Sequence, residues 1–152
     1  MSTRSRVGIK NEDGTITSVY VHHDGYPSGV GEVLFENYND ETKIRKLMEL
    51  GDMSSIGTEP VDNPNAWKTP GLGVADWFKA YKEIHPENMC DTYKSRGEDC
   101  PASISKTEKE FVKKTENCWG EYAYLYKDGK WYINKLNGGG FRVLTEGTIK
   151  RD

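Results

Sequence analysis

Apolar and polar positions alternate near both ends of this chain and recur at helical spacing between them. Val7 and Ile9 alternate with polar residues, Asn11-Glu12-Asp13-Gly14 is dense in turn formers, and Thr15 to His22 alternates again with β-branched and aromatic side chains. The pattern predicts a β-hairpin. A three-residue loop closed by Gly14 in a left-handed conformation pairs Asn11 with Thr15, which sets Val7 against Val19 and Arg6 against Tyr20. Because successive strand side chains point to opposite faces, Val7, Ile9, Val19 and Val21 then face the core, while Arg4, Arg6, Tyr20 and His22 share the other face. A second hairpin is expected over Tyr122 to Leu136, around Lys127-Asp128-Gly129. With the same loop length, Ala123, Leu125, Trp131 and Ile133 turn inward and Tyr122, Tyr124, Tyr126 and Tyr132 line the opposite side, as an exposed platform or as a floor beneath helices.

Between the hairpins the period changes. Val30, Val33, Leu34 and Tyr38 predict a short helix starting near Ser28, and Asn39 or Asp40 caps a second with Ile44, Leu47, Met48 and Leu50 on one side and Gly51 at its end. Asp52 to Gly73, punctuated by glycines and prolines, is expected to be a long irregular connection. Val74 to Lys82 predicts a third helix with Trp77, Phe78 and Tyr81 together, ending before Pro86. Met89 to Ala102 is weakly patterned, one strand and a loop. Ser105-x-x-Glu108 or Thr107-x-x-Glu110 then resembles a capping box ahead of Phe111 and Val112, which predicts a fourth helix. Asn137-Gly138-Gly139-Gly140 reads as a flexible connection before a last strand, Phe141 to Leu144. The whole predicts one α+β domain over residues 1–152. Its expected form is an antiparallel sheet built from the N-terminal and C-terminal hairpins, with three to four short helices packed on one face.

Composition narrows the functional classes. A length of 152 residues suits one core, and although only 35% of residues are apolar, 11% are aromatic, so rings carry much of the core. A formal net charge of -3 and a pI near 5.7 disfavour a nucleic-acid partner. No apolar stretch has the length of a membrane span or a signal peptide, so no membrane partner is expected and the location expected is the cytoplasm. Cys90, Cys100 and Cys118 are odd in number and irregularly spaced, which favours reduced thiols over a disulfide framework or a zinc site shared with His85. No P-loop, nucleophile elbow or H-E-x-x-H motif occurs, and no cofactor is expected.

The block Ser2-Thr3-Arg4-Ser5-Arg6-Val7-Gly8-Ile9, then Glu12-Asp13-Gly14-Thr15, then His22-His23-Asp24-Gly25-Tyr26-Pro27 and Val30-Gly31, resembles a family of small bacteriophage and prophage proteins. The likeness is strongest from Met1 to about Gly57, including Leu50-Gly51-Asp52 and Ser54-Ser55-Ile56-Gly57, and returns in Tyr124 to Ile133. It implies a virus-encoded accessory protein working in the host cytoplasm, with counter-defence the natural role. It implies no catalytic residue and no cofactor.

The candidate site is a pocket for an anion. Ser28-Gly29-Val30-Gly31 opens an expected helix, whose free amides and dipole attract anions, and the Arg4 and Arg6 guanidinium forks grip phosphate or carboxylate. With Tyr20 or Tyr26 to stack a ring, and His22 and Asp24 beside them, these residues suit a nucleotide-like ligand. A simple turn and helix cap with solvated arginines accounts for the same residues without a ligand. The expected function is neutralisation of a host defence factor by binding, through sequestration of a nucleotide-derived signal. One alternative is a small hydrolase or transferase on a phosphorylated or nucleotide substrate, with His22 as base and Asp24 as its orienter. Another is direct inhibition of a host protein through the acidic surface, the long loop and the tyrosines. The partner expected is therefore a host defence component, either a small anion or a protein, and a homo-oligomer is open. His22 and His23, on opposite faces of an extended segment, cannot both bind one metal without a bulge, so no metal is expected.

Overall fold

The computed structural model describes residues 2–151. Strands β1 (Ser5–Lys10) and β2 (Ile16–Val21) form the first hairpin in the expected register, Val7 opposite Val19 and Arg6 opposite Tyr20. The Asn11 amide donates to the Thr15 carbonyl at 2.7 Å and Gly14 takes φ +85, which closes a loop no L side chain favours at that position. Val7, Ile9, Val19 and Val21 are buried on one face.

The α+β class holds, with a mixed sheet of eight strands. Strand β6 (Tyr122–Lys127) runs parallel to β1 and antiparallel to β7 (Lys130–Asn134), which pairs with β8 (Phe141–Val143). On the other side β2 holds both β3 (Met53–Ser55), in parallel, and β5 (Ser103–Ser105), antiparallel, and β3 leads to β4 (Asp91–Thr92). The expected all-antiparallel arrangement is thus corrected. The two hairpins are joined by a long crossover, and such a connection permits parallel neighbours where a turn does not. β3 also lies inside the stretch expected to be irregular, three residues being too few to display a period.

The second hairpin differs from expectation by one residue. Its loop has two residues, Asp128 and Gly129, with φ 52 and 75, so Lys127 pairs with Lys130, Tyr124 with Ile133 and Tyr126 with Trp131. That mirror-image turn suits Asp-Gly and moves the partners of every inward residue. Tyr124, Tyr126, Trp131 and Ile133 consequently share the face of Val7 and Val19, and Ala123 and Leu125 take the other. Tyr122, Tyr124 and Tyr126 are a floor beneath helices, whereas Tyr132, paired with Leu125, lies on the other face. Tyr124 is fully buried and donates its hydroxyl to the Gly25 carbonyl at 2.7 Å, and the Trp131 indole donates to the Tyr38 carbonyl at 2.8 Å.

Over that face lie a π-helical turn (Pro27–Gly31), α1 (Glu32–Asn37) and α2 (Glu41–Glu49). They bury Val30, Leu34, Tyr38, Ile44, Leu47 and Met48. The Asp40 carboxylate caps α2 by accepting from the Lys43 amide at 2.8 Å. A long excursion carries α3 (Trp77–Ile84), capped by Asp76. Helix α4 (Glu108–Asn117) is capped by Thr107, whose hydroxyl accepts from the Glu110 amide at 3.1 Å, so the second of the two candidate boxes is the one formed. Phe111 of α4 packs with Ile16, Ala123 and Leu125 on the face opposite α1 and α2. Helices therefore cover both faces, not one, because strand alternation leaves a second apolar set that also needs a cover. A short α5 (Glu146–Lys150), absent from the sequence reading, returns Ile149 to the main core. No helix among the described residues is long and apolar enough to cross a membrane.

Candidate functional site

The sheet divides the expected anion pocket in two. Arg6 and Tyr20 project on the α4 side of the sheet, whereas the turn containing Gly29 and Gly31 packs on the α1 side. Arg6 is only 5% exposed and is spent on its cross-strand neighbour: Nε donates to Ser18 Oγ at 3.1 Å and a terminal nitrogen to the Ser18 carbonyl at 3.3 Å. The Tyr20 hydroxyl and His22 Nδ1 lie 2.5 Å apart. Burial pushes the Tyr20 phenol up to about 12. Burial also lowers the His22 imidazole from its ordinary value, helped by the charges of His23 and Arg4, so both shifts favour the neutral forms.

Asp24 does not orient His22; it accepts from the Tyr26 hydroxyl at 3.0 Å and holds φ 58. His22 and His23 do not point apart either. Their amides donate to successive β3 carbonyls, Met53 at 3.1 Å and Ser54 at 2.9 Å, and the bent strand brings the rings edge to face at 4.6 Å.

The glycine turn uses its own amides. Gly29 donates to the Tyr26 carbonyl at 2.9 Å and Val30 to the Asp24 carbonyl at 2.8 Å. A Cβ on Gly29 would stand 2.2 Å from the Asp24 carbonyl oxygen, and one on Gly31 3.3 Å from the Tyr124 ring, so both glycines serve close packing. Ser28 and Asp24 border a small hollow of about 170 Å³ with His23 and Glu32; Arg4 lines a different one, and Arg6 lines neither.

A hollow richer in unpaired cations lies at the other end of the chain. A hollow of about 380 Å³ opens beside the loop Asn137–Gly140, and its walls carry Lys135, Arg142 and Arg151 but no carboxylate. None of these three cations has an ion-pair partner among the described residues. Leu136, Gly138 and Gly140 adopt φ 56, 89 and 70, and the Gly139 amide donates to Asn137 Oδ1 at 3.1 Å. This coil draws the backbone of Gly139 and Gly140 into the wall. Thr148 of α5 adds a hydroxyl, and Arg151 is steadied by donating from Nε to the Gly147 carbonyl at 3.1 Å. Guanidinium forks and an ammonium around one space are the chemistry of a multiply charged oxyanion.

The sequence reading missed this site by treating Asn137–Gly140 as a mere connection. The available signal was local charge: residues 130–151 contain five Lys or Arg against one Glu, in a chain of net charge -3. The three cysteines do not join His85 in a cluster, and no group of three His, Cys, Asp or Glu side chains suited to a metal forms among the described residues. Cys90 is buried, its thiol pushed up to about 11 by burial.

Comparisons with known proteins return no family model, no curated protein and no solved structure that matches this chain. The functional reading therefore rests on the site itself.

Proposed function

We propose that the protein binds a phosphate-rich small anion of the nucleotide-derived kind in the hollow lined by Lys135, Arg142 and Arg151. In the setting that the phage resemblance implies, capture of such a signal in the host cytoplasm neutralises the defence factor that depends on it. The observation that carries this reading is three cations, unaccompanied by any carboxylate, around one hollow in an acidic chain. Gathering like charges is unfavourable, and an anion of three or four charges relieves that repulsion. The hollow's walls hold neither histidine nor carboxylate to act as a base, which supports binding over turnover.

Calorimetry with pyrophosphate tests the reading. The wild type should bind with a steep salt dependence, and Arg142→Gln or Lys135→Gln should each lower affinity about tenfold, the loss of one charged hydrogen bond. No binding at millimolar pyrophosphate, or equal binding by both variants, overturns it. Recovery of orthophosphate instead of intact ligand would favour the enzyme alternative.

A separate observation favours association through α3. None of its residues is buried, and Trp77, Phe78 and Tyr81, with Leu72 and Val74 ahead of them, leave on the order of 600 Å² of apolar side chain exposed. Side-chain contacts tie the face together: Trp77 stacks on Tyr81 at 5.1 Å, Tyr81 meets His85 at 4.3 Å, and His85 Nδ1 lies 3.0 Å from Asp91 Oδ2. Two such faces reach the roughly 1,200 Å² of the smaller stable interfaces. The occupant is accordingly a second copy of this chain. Sedimentation should show a dimer that Phe78→Glu dissociates; a wild-type monomer at high concentration would turn this face toward the direct inhibition of a host protein.

A further inference from the structure

The cationic hollow is one end of a longer groove. Beside it a hollow of about 380 Å³ lies between Gly120, Tyr122 and Leu136, and beyond that one of about 500 Å³ lies between Ser2, Arg4 and Trp119. Neighbouring hollows share walls: Lys135 and Asn137 between the first two, Glu121 between the second and third. Sheet order explains the continuity. Strands β1, β6, β7 and β8 are neighbours, and Arg4 precedes β1, Glu121 precedes β6, Lys135 follows β7 and Arg142 lies in β8. The Glu121 amide donates to the Arg4 carbonyl at 2.8 Å, and Asn134 pairs with Ala123, so all four sit at the same end of the sheet. Three strand spacings span about 14 Å along the sheet, and the path turns round the sheet's end, because Ile133 and Arg142 lie on the α1 side whereas Arg4 and Trp119 lie on the α4 side.

At the far end stands a tryptophan in an unusual place. Helix α4 closes with the Trp119 amide donating to the Glu116 carbonyl at 3.0 Å and the Gly120 amide to the Thr115 carbonyl at 2.9 Å. In that closure the residue at Trp119 adopts the left-handed conformation, φ 63, which glycine ordinarily supplies. Trp119 is 79% exposed, so burial does not offset the unfavourable backbone. A large ring held in strain and in water, on the wall of a groove, suits a stacking surface.

Resting on the reading above, we propose that the ligand is a nucleoside polyphosphate lying along this groove. Its phosphates occupy the Lys135, Arg142 and Arg151 end. Its base stacks on Trp119, with the Arg4 guanidinium on the same hollow's wall, and Glu121 between the ends accepts from sugar hydroxyls or a base amino group. Glu121 also sets the direction, since its charge repels phosphates from the tryptophan end.

Affinities of adenosine triphosphate and inorganic triphosphate for wild type, Trp119→Ala and Trp119→Phe test this. The wild type should prefer the nucleotide about tenfold, within the range of base stacking on one aromatic ring. Trp119→Ala should abolish the preference while leaving inorganic triphosphate unchanged, and Trp119→Phe should keep most of it. Equal affinity of the wild type for both ligands, or a preference that survives Trp119→Ala, overturns the nucleotide assignment while the cationic hollow stands. Failure of both ligands to bind overturns the hollow as well.

Discussion

Gly29→Ala tests whether the glycine turn is architecture. The added Cβ would stand 2.2 Å from the Asp24 carbonyl oxygen and 3.0 Å from Asp24 Cβ and Tyr26 Cε2. The nearest obstacle is backbone, fixed by the Val30 amide that donates to it at 2.8 Å, so no side-chain rotation relieves the clash. The turn must open by more than 1 Å, and the Val30 bond then breaks. Overpacking costs about 2 kcal/mol and the lost hydrogen bond about 1 kcal/mol, together about 3 kcal/mol. For a chain of this length that is a fall in Tm of roughly 6–12 °C. Urea unfolding followed by circular dichroism measures it. Gly71→Ala is the control, since nothing lies within 4 Å of its Cβ and its φ is not left-handed; stability should be unchanged or rise by up to about 1 kcal/mol. If Gly29→Ala costs no more than Gly71→Ala, the close-approach argument fails.

Phe111→Ala should cost about 3–5 kcal/mol in urea unfolding, because Phe111 is the one α4 residue in the cluster with Ile16, Ala123 and Leu125; a loss below 1 kcal/mol would mean α4 is dispensable as a cover. Trp119→Gly should stabilise by about 1 kcal/mol, since it frees a left-handed position without uncovering any core. Acid should weaken the fold through His22. Its native pKa lies below the unfolded value near 6.5, so the unfolded chain takes up the proton first, and stability is complete above that pH and falls as pH drops through it. His22→Gln should flatten the slope of unfolding free energy between pH 7 and 5, and an unchanged slope would assign the effect elsewhere.

The two hairpins show how far local pattern reaches. In the first, Asn11 to Gly14 admits one good loop, and the register follows from counting. In the second, Lys127-Asp128-Gly129 suits loops of two or three residues, and alternation alone cannot choose because either choice yields a row of apolar partners. Burial of Tyr124 and Trp131 beneath α1 and α2 makes the choice. Likewise the strand period correctly groups Arg6 with Tyr20 on one face, yet nothing local says that the glycine turn lies across the sheet from them.

What the sequence by itself determined is therefore the set of elements with strong short-range signals: the first hairpin, the caps of α2 and α4 narrowed to two candidates each, and the α+β class. The core itself is mostly aliphatic, with Tyr38, Phe111, Tyr124 and Trp131 buried in it and Trp67, Trp77, Phe78 and Trp119 left exposed. Tertiary structure alone decided the parallel pairing of β1 with β6, the second helical cover and the gathering of Lys135, Arg142 and Arg151 with Trp119 at one sheet end. Period and turn chemistry act over a few residues and are written in the chain, whereas these contacts join distant segments whose neighbours are settled only when every apolar face has been covered at once.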